Sequence, residues 1–287
     1  MSHILIAGCG YVGSELARVL IADGHTVTAL RRKPQSTENG VRFVQADLSE
    51  PATLVSIPKN IDGVAYTAAA DGSTEEAYRR AYVHGLRNLL DFLHARGDAI
   101  QRVVFTSTTG VYGQEDGSWV DEDSPTEPDG FTGKVVLDAE HTLHASTFST
   151  VSLRLGGIYG PGRVHLVNMV REGKAFCTPD PPQYSNLNHR DDCAGAVRHL
   201  LFLDSPASAY NGVDCEPSVR NEMLCWIADR LGVPRPLVAP EEGSRRHRPR
   251  GNKRVSSALL RASGYTFQYP SFREGYGPLI DELLATA

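Results

Sequence analysis

The 287-residue chain contains no CxxC pair, and its five cysteines are odd in number and widely spaced. That argues against a disulfide framework or a structural zinc site and for reduced thiols. No run approaches the roughly 20 apolar residues of a membrane span. The opening MSHILIAGCG lacks the basic n-region of a secretory signal, and glycines break its apolar stretch. A cytoplasmic location is therefore expected. Positive charge is not in excess: the net charge of −5 gives no general reason to bind nucleic acid or anionic membrane. Ten histidines occur without HExxH, and His141 and His144 at i, i+3 have no supporting ligand spacing, so no metal is expected. Without GxSxG, a hydrolase triad has no foothold.

What is present is an alternation of strand and helix. HILIAG is a short apolar run ending in glycine and reads as a buried parallel strand. In the following YVGSELARVLIADG, Val12, Leu16, Val19 and Leu20 recur at helical spacing, and HTVTAL is a second strand. Gly8, Gly10 and Gly13 fall on the turn between the first strand and the helix. The first allows a tight turn, the second lets a pyrophosphate approach the backbone, and the third lets helix and strand pack closely. The unpaired amides and positive dipole end of the helix would then receive the phosphates.

The second strand ends in ALRRKP. An acid near that place would hold the ribose 2′-hydroxyl of NAD. Instead there are Arg31 and Arg32, and a guanidinium fits a 2′-phosphate by paired hydrogen bonds. NADP is favoured over NAD, with a solvated Arg–Arg pair as the alternative.

The pattern continues through VRFVQADL, GVAYTAAA, one long amphipathic helix in STEEAYRRAYVHGLRNLLDFLHARG, and the strand RVVFTSTTGVYG. The expected fold is α/β, a Rossmann-type doubly wound parallel sheet with a smaller C-terminal α/β substrate lobe. The expected division is 1–162 plus 189–207 for the nucleotide domain, and 163–188 plus 208–287 for the lobe.

The stretches GCGYVG, ADL (46–48), TAAA (67–70), GLRNLL (85–90), FTSTTGVYG (105–113), LRLGGIYGPG (153–162), NHRDDCAGAV (188–197) and YNGVD (210–214) run in this order along the chain. In them the chain resembles the extended and atypical short-chain dehydrogenase/reductase superfamily, the NAD(P)-dependent epimerase/dehydratase group. The resemblance implies that Gly8, Gly10, Tyr11, Val12 and Gly13 cradle the pyrophosphate. It implies that Asp47 and Leu48 flank the adenine, that Ala68, Ala69 and Ala70 line the ribose, and that Gly157 and Ile158 lie near the nicotinamide. Thr108 falls at the active-site Ser/Thr position and Lys134 at the active-site lysine, which also holds the nicotinamide ribose. Relatives often dimerise through two helices per subunit, so the resemblance also implies a homodimer, at about 75–96 and 134–146.

The family's chemistry rests on a tyrosine four residues before that lysine, where a helix puts both on one face and the cation lowers the phenol pKa. The five lysines here are preceded at that spacing by Ala29, Val55, Gly130, Val170 and Pro249. No YxxxK exists in the chain. Three readings follow. Another group, with Tyr112 as the candidate phenol, supplies the proton of an epimerase, dehydratase or reductase acting on a small polar substrate such as a sugar nucleotide or another anion. Or the chain binds NADP(H) without catalysis, as a redox sensor. Or the substrate needs no external acid.

His189-Arg190-Asp191-Asp192 could be a catalytic cluster, but the plainer reading is that the acids cap the following helix and the His–Arg pair packs the lobes together. RRHRPRGNKR (245–254) is read as a solvated loop, with an anionic substrate group or nucleic acid as alternatives.

Overall fold

In the computed structural model, residues 1–33, 40–239 and 251–286 are described. The chain divides into two compact units: Met1–Tyr112, Pro125–Arg154 and Cys193–Tyr210 form the first, and Gly113–Ser124, Leu155–Asp192 and Asn211–Ala287 the second.

The first unit is built on β1 (His3–Ala7), β2 (Thr26–Arg31), β3 (Arg42–Gln45), β4 (Gly63–Tyr66) and β5 (Arg102–Thr108). They pair in parallel in the order β5-β4-β1-β2-β3, and Thr150–Leu155 and Ala209–Gly212 complete seven strands beyond β5. Parallel strands buried on both faces need near-continuous apolar sequence, which explains ILIA, VAY and VVF. On one face, Leu5, Ala7, Val64, Tyr66, Val103 and Phe105 are in alternate register within their strands and belong to one core. Helix α3 (Gly85–Arg96) meets them with Leu86, Leu89, Leu90 and Leu93, and α4 (Phe131–His144) with Val135, Val136, Ala139 and Leu143. This is the spacing of one helical face. Each such leucine contributes about 1.5–3 kcal/mol by leaving water.

The segment expected as one long helix is interrupted. After α2 (Glu75–Tyr78), capped by the Thr74 hydroxyl, residues Arg79–His84 form a π-turn in which the Gly85 N–H reaches Arg80 O rather than Ala81 O. The cause is Tyr66: its phenol, at the end of β4, donates to the Ala81 carbonyl at 2.5 Å. A carbonyl bonded by a phenol pushed into the ladder releases its usual partner to the residue before it.

The second unit has its own core, in which Val167 and Val170 of His165–Arg171 meet Met223, Leu224 and Ile227 of Arg220–Leu231 and Phe272, Tyr276 and Ile280 of Phe272–Ala285. Three short pairings accompany it: Gly157–Tyr159 with Leu187–His189, Tyr184–Ser185 with Ser218–Val219, and Trp119–Val120 with Arg254–Val255. Residues 245–250 of the basic run lie outside the described residues. Its end is not a solvated loop: Lys253 is buried, and Arg254 donates to Gly117 O at 2.8 Å with its guanidinium beside the rings of Trp119 and Tyr184.

Candidate cofactor and catalytic site

The glycine turn follows β1 and opens helix α1 (Tyr11–Ala22). Gly8 has φ +96°, and a Cβ there would stand 2.3 Å from Ala68 Cα, so only glycine fits both the conformation and the space. A Cβ on Gly13 would lie 2.7 Å from Gly8 O and from Thr67 Oγ1, which is the close helix–strand approach. Gly10 differs: a Cβ there meets nothing within 4 Å. The second glycine therefore borders open space at the start of α1. That helix has no side-chain cap and no acid in its first turn. An uncapped helix start, its positive dipole end and open room together fit a pyrophosphate.

The turn is held from both sides. The Thr67 hydroxyl, just past β4, donates to Gly8 O at 2.7 Å, and Arg31 Nε, at the end of β2, donates to Cys9 O at 2.8 Å. Arg31 also donates from Nη2 to Ser14 Oγ at 3.1 Å and lies over the Phe43 ring. Arg32 is committed elsewhere, to a two-pronged ion pair with Asp71.

Asp47 follows β3. Burial opposes its ionisation, but the Ser49 hydroxyl and amide, with Arg32 and Arg80 nearby, hold its carboxyl below the usual range. Asn88 fixes the Leu48 carbonyl at 2.9 Å. Ala68 backs the glycine turn.

Thr108 ends β5, and its hydroxyl accepts the Gly110 N–H at 3.0 Å. Lys134 is exposed on the first turn of α4. The two elements are seated on each other at glycines: a Cβ on Gly133 would lie 2.4 Å from Gly110 O and 2.6 Å from Pro128 Cβ. Thr108 and Lys134 thus belong to abutting turns. Gly130, four residues before Lys134, is the N-cap of α4 with φ −80° and ψ 148°, and a Cβ there meets only Thr132 Oγ1, at 3.8 Å. The place is open to a side chain and holds none.

Tyr112 closes the short turn that follows Thr108. It is 2 % exposed, and its phenol accepts from Arg154 Nη1 at 2.9 Å. Arg154 is neutralised by Glu140, which takes its Nε at 3.0 Å and Nη2 at 2.8 Å, and Ser107 adds its hydroxyl to Glu140 at 2.5 Å. A phenol bonded in this way serves the fold of the turn.

Residues 4–174 match the sequence profile of the NAD dependent epimerase/dehydratase family. The chain belongs to that family. Protein YeeZ of Escherichia coli K12 is 29% identical over 94% of this chain and 97% of its own length. A solved structure from Methylobacillus flagellatus, described as an NAD-dependent epimerase/dehydratase, is 40% identical, covers 98% of both chains and superposes with a TM-score of 0.82. The human epimerase family protein SDR39U1, solved with NADPH, shares the fold alone, at 20% identity, TM-score 0.81, and coverage of 97% of this chain and 99% of that one.

Within this family member, Gly157 and Ile158 lie on a strand of the second unit that pairs with Leu187–His189. Asp192, expected as a helix cap, instead gathers the Tyr265 hydroxyl and the amides of Gln268 and Tyr269, each at 2.8 Å. His189 is buried against the rings of Tyr159 and Tyr269. Sequence reasoning does not single out Thr67, Asp71 or the Ser107–Glu140–Arg154 network. Thr67 directly precedes the AAA stretch, so its position is a usable signal. The buried network joins residues 14 to 47 apart and leaves no local mark.

Proposed function

We propose that the protein is an NADP(H)-dependent oxidoreductase of the epimerase/dehydratase type, acting on a small polar substrate such as a sugar nucleotide or another anion. One observation carries the reading: the open room beside Gly10 at an uncapped helix start, with the Arg31 guanidinium fixed on the same turn. Gly8, Gly10, Tyr11, Val12 and Gly13 would hold the pyrophosphate, and Arg31 and Arg32 the 2′-phosphate. Asp47 and Leu48 would flank the adenine, and Ala68, Ala69 and Ala70 the ribose. A bound nicotinamide supplies or accepts the hydride. Thr108 offers its hydroxyl to a substrate oxygen. Lys134 binds the nicotinamide ribose and supplies positive charge beside the reacting oxygen, where it stabilises developing negative charge.

The open, empty N-cap at Gly130 favours a second reading: the chain binds NADP(H) as a sensor and turns nothing over. Gly10→Ala tests the shared premise. Its methyl would enter the room meant for phosphate, so nicotinamide binding should fall sharply while stability stays within about 0.5 kcal/mol. Unchanged binding would refute the cradle. A substrate screen by NADPH consumption, repeated with Lys134→Ala, then separates enzyme from sensor.

A further inference from the structure

Strand β1 lies between β2 and β4, and all three are parallel, so the chain leaves them at one edge of the sheet. The glycine turn follows β1. Arg32 comes from the segment after β2, and Asp71 from the segment after β4. Their side chains meet: Arg32 Nη2 donates to Asp71 Oδ1 at 2.7 Å, and Nη1 pairs with Oδ2. The ion pair therefore links the two segments that flank the turn where a dinucleotide would enter. Both residues are more than half exposed, at 59% and 57%.

The planar fork of a guanidinium offers two parallel donors, and a carboxylate and a phosphate take them in the same way. Asp71 thus uses the donors that a 2′-phosphate would use. Arg31 is in a different position, with Nε on Cys9 O, Nη2 on Ser14 Oγ and its face over Phe43. The neighbouring charges favour the pairing: Arg32 holds the Asp71 carboxyl below its usual range, first through the hydrogen bond, and Arg80 adds to this.

We propose that Asp71 is a specificity-determining residue of the cofactor site: it occupies Arg32 in the free protein, and a 2′-phosphate must displace it. The inference rests on the NADP(H) reading above. A dinucleotide with a free 2′-hydroxyl leaves the pair intact. One with a 2′-phosphate brings nearly two negative charges against one and takes Arg32 over, at the expense of the Asp71 contact. Asp71 therefore narrows the gap between the two cofactors that two arginines would otherwise set. The competition is electrostatic and fades as salt rises.

The test is a double-mutant cycle at low ionic strength. Wild type, Asp71→Asn, Arg32→Gln and the double variant are titrated with NADPH, NADH and adenosine 2′,5′-bisphosphate. All four should melt alike, since both side chains are exposed. Asp71→Asn should tighten NADPH and the bisphosphate about two- to fivefold, the range an exposed pair can supply, and leave NADH within about twofold. In the Arg32→Gln background the gain should vanish. Weaker NADPH binding by Asp71→Asn, an equal shift for NADH, or a gain that survives Arg32→Gln would each overturn the proposal while a wild-type preference for NADPH stands. A wild type that binds NADPH no better than NADH would instead fail the underlying reading and take the proposal with it.

Discussion

The Arg154 guanidinium donates to the Tyr112 phenol at 2.9 Å with both side chains buried, and Glu140 takes the remaining face of the cation. This relationship assigns Tyr112 to the structure of the turn after β5. Tyr112→Phe leaves one cationic N–H without its acceptor, so it should lower unfolding free energy by about 1.5–3 kcal/mol. NADPH affinity should not change. Denaturant melts and a cofactor titration of one preparation check both. Unaltered stability with lost binding would contradict this.

Glu140 carries the larger load. Glu140→Ala strands the Arg154 charge in the interior, and breaking a buried pair from one side costs about 3–5 kcal/mol. Arg154→Met together with Glu140→Leu should recover much of that loss, since a packed apolar pair avoids the desolvation of two ions. If the double variant is no better than the single one, the network does more than neutralise Arg154.

Two glycines three residues apart should respond to different extents. Gly133→Ala drives a methyl into Gly110 O, a backbone atom that cannot step aside cheaply, and should destabilise the first turn of α4 by about 1–3 kcal/mol. Gly130→Tyr enters open space at ordinary dihedral angles and should fold with a loss of about 1 kcal/mol or less. It also restores the YxxxK spacing with Lys134. Comparable melting of both variants would show that α4 is not seated on the turn after Thr108.

Burial pushes the Asp214 carboxyl up to about 8, against roughly 3.9 in an unfolded chain. The folded state therefore holds a proton that the unfolded state releases. The associated stability is complete below about pH 4 and is lost as pH rises to about 8. Asp214→Asn mimics the protonated group, so its advantage over wild type should grow between about pH 5 and about pH 8.5. Melts at the two pH values decide this, and an equal difference at both would contradict a buried neutral carboxyl.

Much of the first unit is legible in the sequence because its signals are local. The strand–glycine–helix turn and the apolar strand cores declare themselves within a few residues. The helix after β4 reads as continuous in the sequence, since its interruption comes from Tyr66, which no helical periodicity can see. Asp71 is silent for a similar reason: a lone exposed acid after a strand carries no mark until its partner is known. The role of Tyr112 depends on Arg154, 42 residues on. Sequence spacing puts a phenol near the site, and packing turns it inward.

The most direct measurement is a side-by-side titration of the wild-type protein with NADPH and NADH, followed by nicotinamide fluorescence. Saturable binding of both is expected, with NADPH bound several-fold more tightly at low salt. Equal or tighter binding of NADH would show that Arg31 and Arg32 do not read a 2′-phosphate. Binding of neither would show that the turn at Gly8, Gly10 and Gly13 holds no dinucleotide.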